Sequence, residues 1–149
     1  MDWFEAVDPS APALPPRARF SSSAGVLPLD GTWGFRYCAE ARLAPGPDDP
    51  DGFGTITVPG CWQLQGHGSP VYLSAQCPIP LDPPRTPDAN PCGDYRLEFD
   101  APEEFLAGAV LRFDGVDSAA RVWLNGVLLG ETRGSRLTHE FDATAALRP

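Results

Sequence analysis

The dipeptide Asn125-Gly126 lies between two apolar runs, RVWL before it and VLLG after it. A two-residue type I′ turn needs positive φ at both central positions, and Asn-Gly supplies this most readily. The pattern therefore predicts an antiparallel hairpin, which limits the chain to folds that contain β-sheet. The predicted cross-strand pairs are Leu124 with Val127, Trp123 with Leu128, and Val122 with Leu129.

Side chains alternate between the two faces of a strand, so the hairpin has two faces of different character. One face is entirely apolar and is expected to be buried; it carries Val122, Leu124, Val127 and Leu129. The other face is mixed and carries Arg121, Trp123 and Leu128. We expect this mixed face to be half-exposed or covered by another part of a larger protein. Neither face carries a catalytic group.

Short strand-like segments, separated by Gly and Pro, recur along the rest of the chain. They are Thr32–Tyr37, Thr55–Val58, Asp94–Phe99, Val110–Phe113 and Leu137–Phe141. Only one short turn of helix is predicted, at Ala143–Leu147. Many short strands with turn residues between them are typical of an all-β sandwich or barrel.

Two regions lack strand patterns. Residues 1–28 contain Pro9, Pro12, Pro15, Pro16 and a Ser21-Ser22-Ser23 run, and we interpret them as an extended arm that orders only against another surface. Cys61–Asn90 is a long irregular segment with six prolines. Long loops in compact domains usually carry function or pack against a neighbour.

Composition excludes several classes of partner. The net charge is −9, and the eleven basic residues are all Arg. An acidic chain without a basic stripe disfavours nucleic acid, whose recognition depends on neutralising phosphates. It also disfavours an anionic membrane surface. The acidic start MDWFEAVDP lacks the features of a signal peptide, so a cytoplasmic location is expected.

The four cysteines, Cys38, Cys61, Cys77 and Cys92, contain no C-x-x-C pair. In a cytoplasmic setting free thiols are expected, although an even number would permit disulfides. Neither Cys nor His occurs at the spacing of a zinc site, so no metal is expected in this chain.

Catalytic motifs are also missing, since the sequence has no G-x-S-x-G, no H-E-x-x-H and no phosphate-binding glycine loop. His67 and His139 are expected to be surface histidines, because no nucleophile forms a constellation with either. The acidic clusters Asp48-Asp49, Asp51 and Glu103-Glu104 occur in turn-like contexts. They are expected to be solvated rather than to act as general acids.

Trp62 and Tyr72 flank the loop QLQGHGSPV, and their rings could form a platform for a sugar. The alternative, which we favour, is that both rings anchor the loop to the domain. Asn90 precedes Pro91 at the entry to the predicted strand Asp94–Phe99, and its simplest interpretation is a turn residue.

Four segments nevertheless occur together in a familiar order. They are LDGTWGF (29–35), ITVPGCWQLQGHGSPVY (56–72), NPCGDYRLEF (90–99) and FDGVDSAARVWLNGVLLGETRGSRLTHEFD (113–142). Together they resemble the N-terminal sugar-binding domain of family-two glycoside hydrolases, and within that family the large bacterial β-galactosidases. The resemblance covers most of the chain, from about Leu29 to Leu147.

The resemblance implies a jelly-roll β-sandwich of the galactose-binding type. It also implies an intracellular retaining β-galactosidase whose two catalytic Glu residues lie on a later (β/α)₈ barrel. In the family the acid/base Glu follows an Asn, and this chain has no Asn-Glu dipeptide. No catalytic residue is therefore expected here, and the chain should be inactive alone.

What the chain could contribute is a loop. In the family, the Asn of the N-P-x-G-x-Y motif bonds galactose hydroxyls, and this Asn matches Asn90. Cys92 occupies a position in this motif that tolerates small residues. The resemblance further implies Mg²⁺ and Na⁺ sites built mainly from later domains, docking to the catalytic barrel, and a homo-oligomer at full length.

The expected organisation is an arm over residues 1–28 and a sandwich over residues 29–149. The chain stops at Pro149 directly after a strand, so we expect the C-terminal strands to be missing and the chain to be a fragment. Two other readings stay open at this point, a free-standing carbohydrate-binding module and a purely structural or assembly domain.

Overall fold

The structure is a computed structural model that describes residues 13–14, 23–71, 80 and 82–148. Within these ranges the regular structure consists of seven β-strands, two 3-10 helices and one four-residue α-helix. The predicted all-β class is thereby confirmed. Contacts divide the chain into two compact units. One is Pro28–Phe99, and the other is Asp100–Pro149 with residues of Met1–Leu27.

The Pro28–Phe99 unit is built on a three-stranded antiparallel sheet in the order β2-β1-β3. The strands are β1 (Gly31–Cys38), β2 (Gly54–Val58) and β3 (Cys92–Arg96). The alternation of β1 places its three aromatic residues on one face and Arg36 on the other. Phe35 and Ile56 form the buried core, with 2% and 3% of their surface exposed. The two strands predicted first in the chain are thus confirmed.

Strand β3 begins two residues earlier than predicted and ends before Leu97. It pairs with the second half of β1, from Cys38 opposite Cys92 to Gly34 opposite Arg96. The prediction was wrong because alternating side chains reveal faces but not where hydrogen-bonded partners begin. Here the strand starts in Cys92-Gly93, where the residue types give a poor strand signal.

The second unit contains two two-stranded antiparallel sheets. Strands β4 (Val110–Phe113) and β7 (His139–Asp142) form one of them, and β5 (Ala119–Leu124) and β6 (Val127–Arg133) form the other. The strand predicted at Leu137–Phe141 is therefore displaced by one to two residues. Phe141, which is 1% exposed, is the largest buried apolar side chain of this unit and packs edge-on against Phe113.

A short helix, α1 (Glu103–Leu106), was not predicted. The acidic pair that suggested a turn lies in its first turn, where carboxylates interact favourably with the helix dipole. The helix predicted at Ala143–Leu147 is a hydrogen-bonded turn in which two N–H groups, of Ala146 and Leu147, donate to the carbonyl of Ala143. Thr144 N–H donates to the Asp142 carboxylate at 2.9 Å and lowers its pKa.

The hairpin forms as predicted at its turn. Asn125 has a φ of 51° and Gly126 a φ of 81°, and the two pairs next to the turn match the prediction. Val122, however, lies opposite Gly130 rather than Leu129, because a bulge shifts the register between Val122 and Trp123.

The bulge has an electrostatic consequence. In an unshifted ladder Arg121 would lie opposite Gly130, whereas the shift places it opposite Glu131. Its Nε donates to Glu131 Oε1 at 2.9 Å, and the Glu131 side chain is completely buried. A buried carboxylate is costly unless it is paired, and the shifted register supplies that partner.

Burial along the hairpin also departs from the prediction. Val122 is buried as expected, but Val127 on the same face is 48% exposed, so this face is covered only away from the turn. Trp123 and Leu128 on the mixed face are about 40% exposed, with values of 38% and 41%.

Replacing Arg121 with Met should lower the free energy of unfolding by about 1.5–3 kcal/mol, because it removes a charged hydrogen bond to a buried carboxylate. Arg85→Met is the matched control, since the Arg85–Asp82 ion pair is 71% and 69% exposed and its loss should cost under about 1 kcal/mol. Urea denaturation of both variants measures the difference. Equal losses would show that burial of Glu131 does not depend on Arg121.

Candidate functional site

Asn90 lies two residues before β3, at the end of a segment that starts with a turn at Asp82–Arg85. Its backbone is held on both sides. The N–H of Asn90 donates to the carbonyl of Asp88 at 2.8 Å, and the carbonyl of Asn90 accepts from the N–H of Ala41 at 2.7 Å. Ala41 begins the 3-10 helix Ala41–Leu43, so the Asn90 backbone is tied to the segment that follows β1.

An ion pair also joins the Asn90 segment to the 3-10 helix that follows β1. The guanidinium of Arg42 forms an ion pair with Asp88. The Asp88 side chain is 90% exposed, so this pair contributes little to stability, and the backbone hydrogen bonds carry most of the positioning.

The side chain of Asn90 is half-buried, and no residue in the described part of the chain is hydrogen-bonded to its amide. An Asn amide offers two donors and one acceptor, a set that suits neighbouring hydroxyl groups. A residue with a held backbone and an uncommitted amide has the properties of a ligand contact. The sugar-binding role of Asn90 stays a prediction.

The sheet beside Asn90 depends on Arg36, which sequence analysis did not single out. Arg36 is 7% exposed, and its Nε and Nη2 donate to Asp94 Oδ2 at 3.0 and 2.8 Å. Its Nη1 donates to the carbonyl of Asp51 at 2.7 Å. The hydrogen bond with Asp94 raises the pKa of Arg36. The Arg within the aromatic strand TWGFRY was the available signal, but its partner depends on the register of β3.

Arg36 and Arg96 also hold the ring of Phe53. Their guanidinium carbons lie 4.7 and 4.3 Å from the ring centroid. Arg96 additionally donates to the carbonyl of Pro47 at 2.8 Å, which fastens the loop between β1 and β2. A pocket of about 320 Å³ lies here, but it does not include Asn90. Its lining residues are Thr32, Gly34, Pro50, Phe53, Arg96, Leu97 and Glu98.

The other face of β1 carries an aromatic cluster that contains Trp62. The Trp62 ring lies 5.9 Å from Phe35 and 5.8 Å from Tyr37, measured between centroids. His67 packs against the same two rings at 4.7 and 6.3 Å. These contacts favour an anchoring role for Trp62 over a sugar platform. Tyr72 lies outside the described residues.

Gln65 provides a further attachment for this loop. Its side-chain amide accepts from the N–H of Thr57 at 2.8 Å and donates to the carbonyl of Thr57 at 3.0 Å. The amide therefore imitates a strand partner along the edge of β2. Nothing in the spacing of WQLQ signals this bond.

The histidines and cysteines differ in how deeply they are buried. His139 is only 4% exposed, so the expectation of a surface histidine was wrong for this residue, which is the first of β7. His67 is half-buried among aromatic rings. Cys38, Cys61 and Cys92 are free thiols, as predicted, and Cys77 lies outside the described residues. Over the described ranges, no three His, Cys, Asp or Glu residues form a group that could hold a metal.

Residues 26–149 match the family described as glycosyl hydrolases family 2, sugar binding domain. The chain belongs to this family. The resemblance seen in the sequence is thereby confirmed, and the β2-β1-β3 sheet and the hairpin are parts of a family 2 sugar-binding domain.

Curated relatives of this family 2 domain include β-galactosidases. One from Arthrobacter sp. (strain B7) is 41% identical over 91% of this chain and 16% of its own length. Another, from Erwinia tasmaniensis, is 43% identical over 80% of this chain and 12% of its own length. The chain thus spans less than a fifth of the length of these relatives.

A solved structure is also similar. Bifidobacterium dentium β-glucuronidase, in complex with coumarin-3-O-glucuronide, matches 87% of this family 2 domain with 32% identity and a TM-score of 0.60. The match covers 19% of that chain. In the described part of the present chain, no helix is long and apolar enough to cross a membrane.

Replacing Gly93 with Ala should destabilise the domain strongly. A Cβ at Gly93 would overlap the rings of Phe35 and Trp62, at 2.5 Å from Trp62 Cζ3, so the aromatic cluster would have to shift. Overpacking of this kind costs about 1–3 kcal/mol. Gly46→Ala is the matched control, because a Cβ there has no atom within 4 Å. Thermal unfolding should separate the two variants, and equal melting temperatures would contradict the packing seen at Gly93.

Proposed function

We propose that this chain is the sugar-binding domain of a retaining β-galactosidase, an enzyme of carbohydrate metabolism that hydrolyses terminal β-D-galactosyl residues. The observation that carries the proposal is its likeness to β-galactosidases, at 37–43% identity over 80–91% of the chain. Asn90 has a held backbone and, among the described residues, no hydrogen-bond partner for its amide, which supports a contact to the galactosyl group.

The chemistry of a retaining glycosidase suggests which groups the barrel would supply and which this domain would supply. A retaining glycosidase needs a carboxylic acid that protonates the leaving oxygen and a carboxylate nucleophile on the opposite side of the bond. We assign this pair to a barrel outside these 149 residues. The present domain would scaffold that barrel and lend it the Asn90 loop. The Asn90 amide would bond galactosyl hydroxyls and so help orient the sugar.

Other properties of the whole protein are proposed on weaker support. A cytoplasmic location fits the free thiols of Cys38, Cys61 and Cys92. The Mg²⁺ and Na⁺ implied by the family resemblance are assigned to other parts of the protein. A homo-oligomer is the proposed assembly.

A second candidate substrate is a β-glucuronide, because the similar solved structure is a β-glucuronidase. A glucuronide carries a carboxylate that a galactoside lacks, so the two substrates require different partners in the pocket. The complete protein should be assayed with p-nitrophenyl β-galactoside and p-nitrophenyl β-glucuronide in parallel. A larger kcat/KM for the glucuronide would replace the first proposal with the second.

The isolated chain should hydrolyse no β-galactoside, because the proposal assigns the carboxylate pair to the barrel. Incubation with p-nitrophenyl β-galactoside should release nitrophenol at the rate of buffer alone. An activity that scales with protein and survives repurification would show that catalytic groups lie within the chain. Binding of galactose without hydrolysis by the isolated chain, detected by calorimetry, would favour a free-standing carbohydrate-binding module.

In the complete protein, Asn90→Ala should lower kcat/KM by about 10- to 100-fold, the effect of losing hydrogen bonds to a sugar. The melting temperature should change little, because the hydrogen bonds of Asn90 within the chain come from its backbone.

Asn125→Gly provides the opposite control. The Asn125 amide donates to the carbonyl of Ala146 at 2.9 Å, and glycine preserves the positive φ of the turn. This variant should lose thermal stability and keep its kcat/KM. If Asn90→Ala behaves like Asn125→Gly, Asn90 is a structural residue and the domain's role is scaffolding alone.

A further inference from the structure

Two cysteines that are 54 positions apart in the chain face each other in the sheet. Cys38 is the last residue of β1, Cys92 is the first residue of β3, and the register places them directly opposite. Both are half-buried free thiols. They share the face of the sheet that carries the Arg36–Asp94 pair, two positions further along the same ladder.

The geometry of an antiparallel ladder suits a bond between them. Directly opposed residues have Cα atoms about 4.5–5.5 Å apart, depending on the type of pair. Disulfides accept Cα separations of about 4.4–6.8 Å, so either type of pair lies within the permitted range. Besides burial, the neighbouring Cys38 side chain is among the groups that raise the pKa of Cys92, which agrees with the pairing of the two residues. The pairing of β1 with β3 therefore allows a disulfide at this position without a change of register.

We propose that Cys38 and Cys92 are a redox modification site, a dithiol that closes reversibly into a cross-strand disulfide on reaction with a low-molecular-weight disulfide such as oxidised glutathione. This site is additional to the proposed sugar contact and does not depend on it. Its test uses thiol chemistry, so its failure would be distinct from a failure of the β-galactosidase proposal.

The surroundings of Cys92 determine which of the two thiols reacts first with the low-molecular-weight disulfide. Burial raises the pKa of the Cys92 thiol to about 12, and the neighbouring Cys38 contributes in the same direction. Cys92 is therefore protonated at neutral pH and is a poor first nucleophile. The first attack belongs to Cys38.

The reaction balances as a thiol–disulfide exchange. Cys38 loses its proton, attacks one sulfur of oxidised glutathione and releases one glutathione as leaving group, which leaves a mixed disulfide. Cys92 then loses its proton and attacks the Cys38 sulfur, and the second glutathione departs. Two protein thiols are oxidised, one glutathione disulfide is reduced, and the two protons end on two glutathione thiols.

The bond would act on the segment that carries Asn90. Cys92 follows Asn90 by two residues, and Ala41, which donates to the Asn90 carbonyl, follows Cys38 by three. A disulfide would therefore tie together the two chain ends that lead into this hydrogen bond. Opening of this end of the ladder would become rarer, and the Ala41 amide would report it through hydrogen exchange.

The test uses the whole chain with Cys61→Ser and Cys77→Ser, so that Cys38 and Cys92 are its only thiols. The folded protein is incubated with oxidised glutathione, remaining thiols are alkylated, and the mass is measured. Both thiols should disappear together, with a mass lower by two hydrogen atoms and no retained glutathione. The same protein unfolded in urea should instead accumulate glutathione adducts, because its cysteines are no longer adjacent.

Two single variants on this background test the order of attack. Cys92→Ser should stop at a glutathione adduct on Cys38, whereas Cys38→Ser should stay largely unmodified over the same time. Retained glutathione on the folded two-thiol protein, or two thiols that survive oxidised glutathione, would overturn the proposal. Equal exchange of the Ala41 amide in the oxidised and reduced forms would overturn the proposed effect on the Asn90 segment.

Discussion

The contact between Arg36 and Asp94 is the interaction on which the rest of the Pro28–Phe99 unit depends. A guanidinium that is 7% exposed must have its donors satisfied, and Asp94 supplies the charged partner from the neighbouring strand. The remaining donors reach carbonyls of the loop between β1 and β2, including Asp51. One side chain thus joins β1, β3 and a proline-rich loop. The register set by this pair also brings Cys38 opposite Cys92.

The sequence predicted best what depends on local rules. The Asn125-Gly126 turn, the strands β1, β2 and β4, and the all-β class all follow from alternation and turn chemistry. It predicted less well what depends on partners distant in the chain. The bulge at Val122 places Arg121 opposite the buried Glu131, and the start of β3 lies opposite the end of β1. Neither the bulge nor the start of β3 can be predicted from the sequence before the pairing of the strands is known.

The candidate site shows the same difference between features set by local sequence and features set by distant partners. Asn90 was named only through resemblance, because an Asn before a Pro is ordinarily a turn residue. The structure adds that the Asn90 backbone bonds to Ala41 and Asp88, and that its side-chain amide has no hydrogen-bond partner among the described residues. The partners of Arg36 and Gln65, which position the surrounding segments, were not predictable from the sequence, since they lie 58 and 8 residues away and are reached only in the folded sheet.

The two faces of β1 give the domain two different means of holding its loops. The aromatic face holds the Trp62–Gln65 segment by packing, which depends on apolar contact and tolerates changes of charge. The opposite face holds the loop between β1 and β2, and the ends of β1 and β3, by charge and hydrogen bonds. Cys38 and Cys92 lie at the margin of this face. A change in the oxidation of these thiols would act on the polar face and leave the packed face untouched. The Asn90 segment, which joins β3 at that margin, is therefore the part of the domain most exposed to such a change.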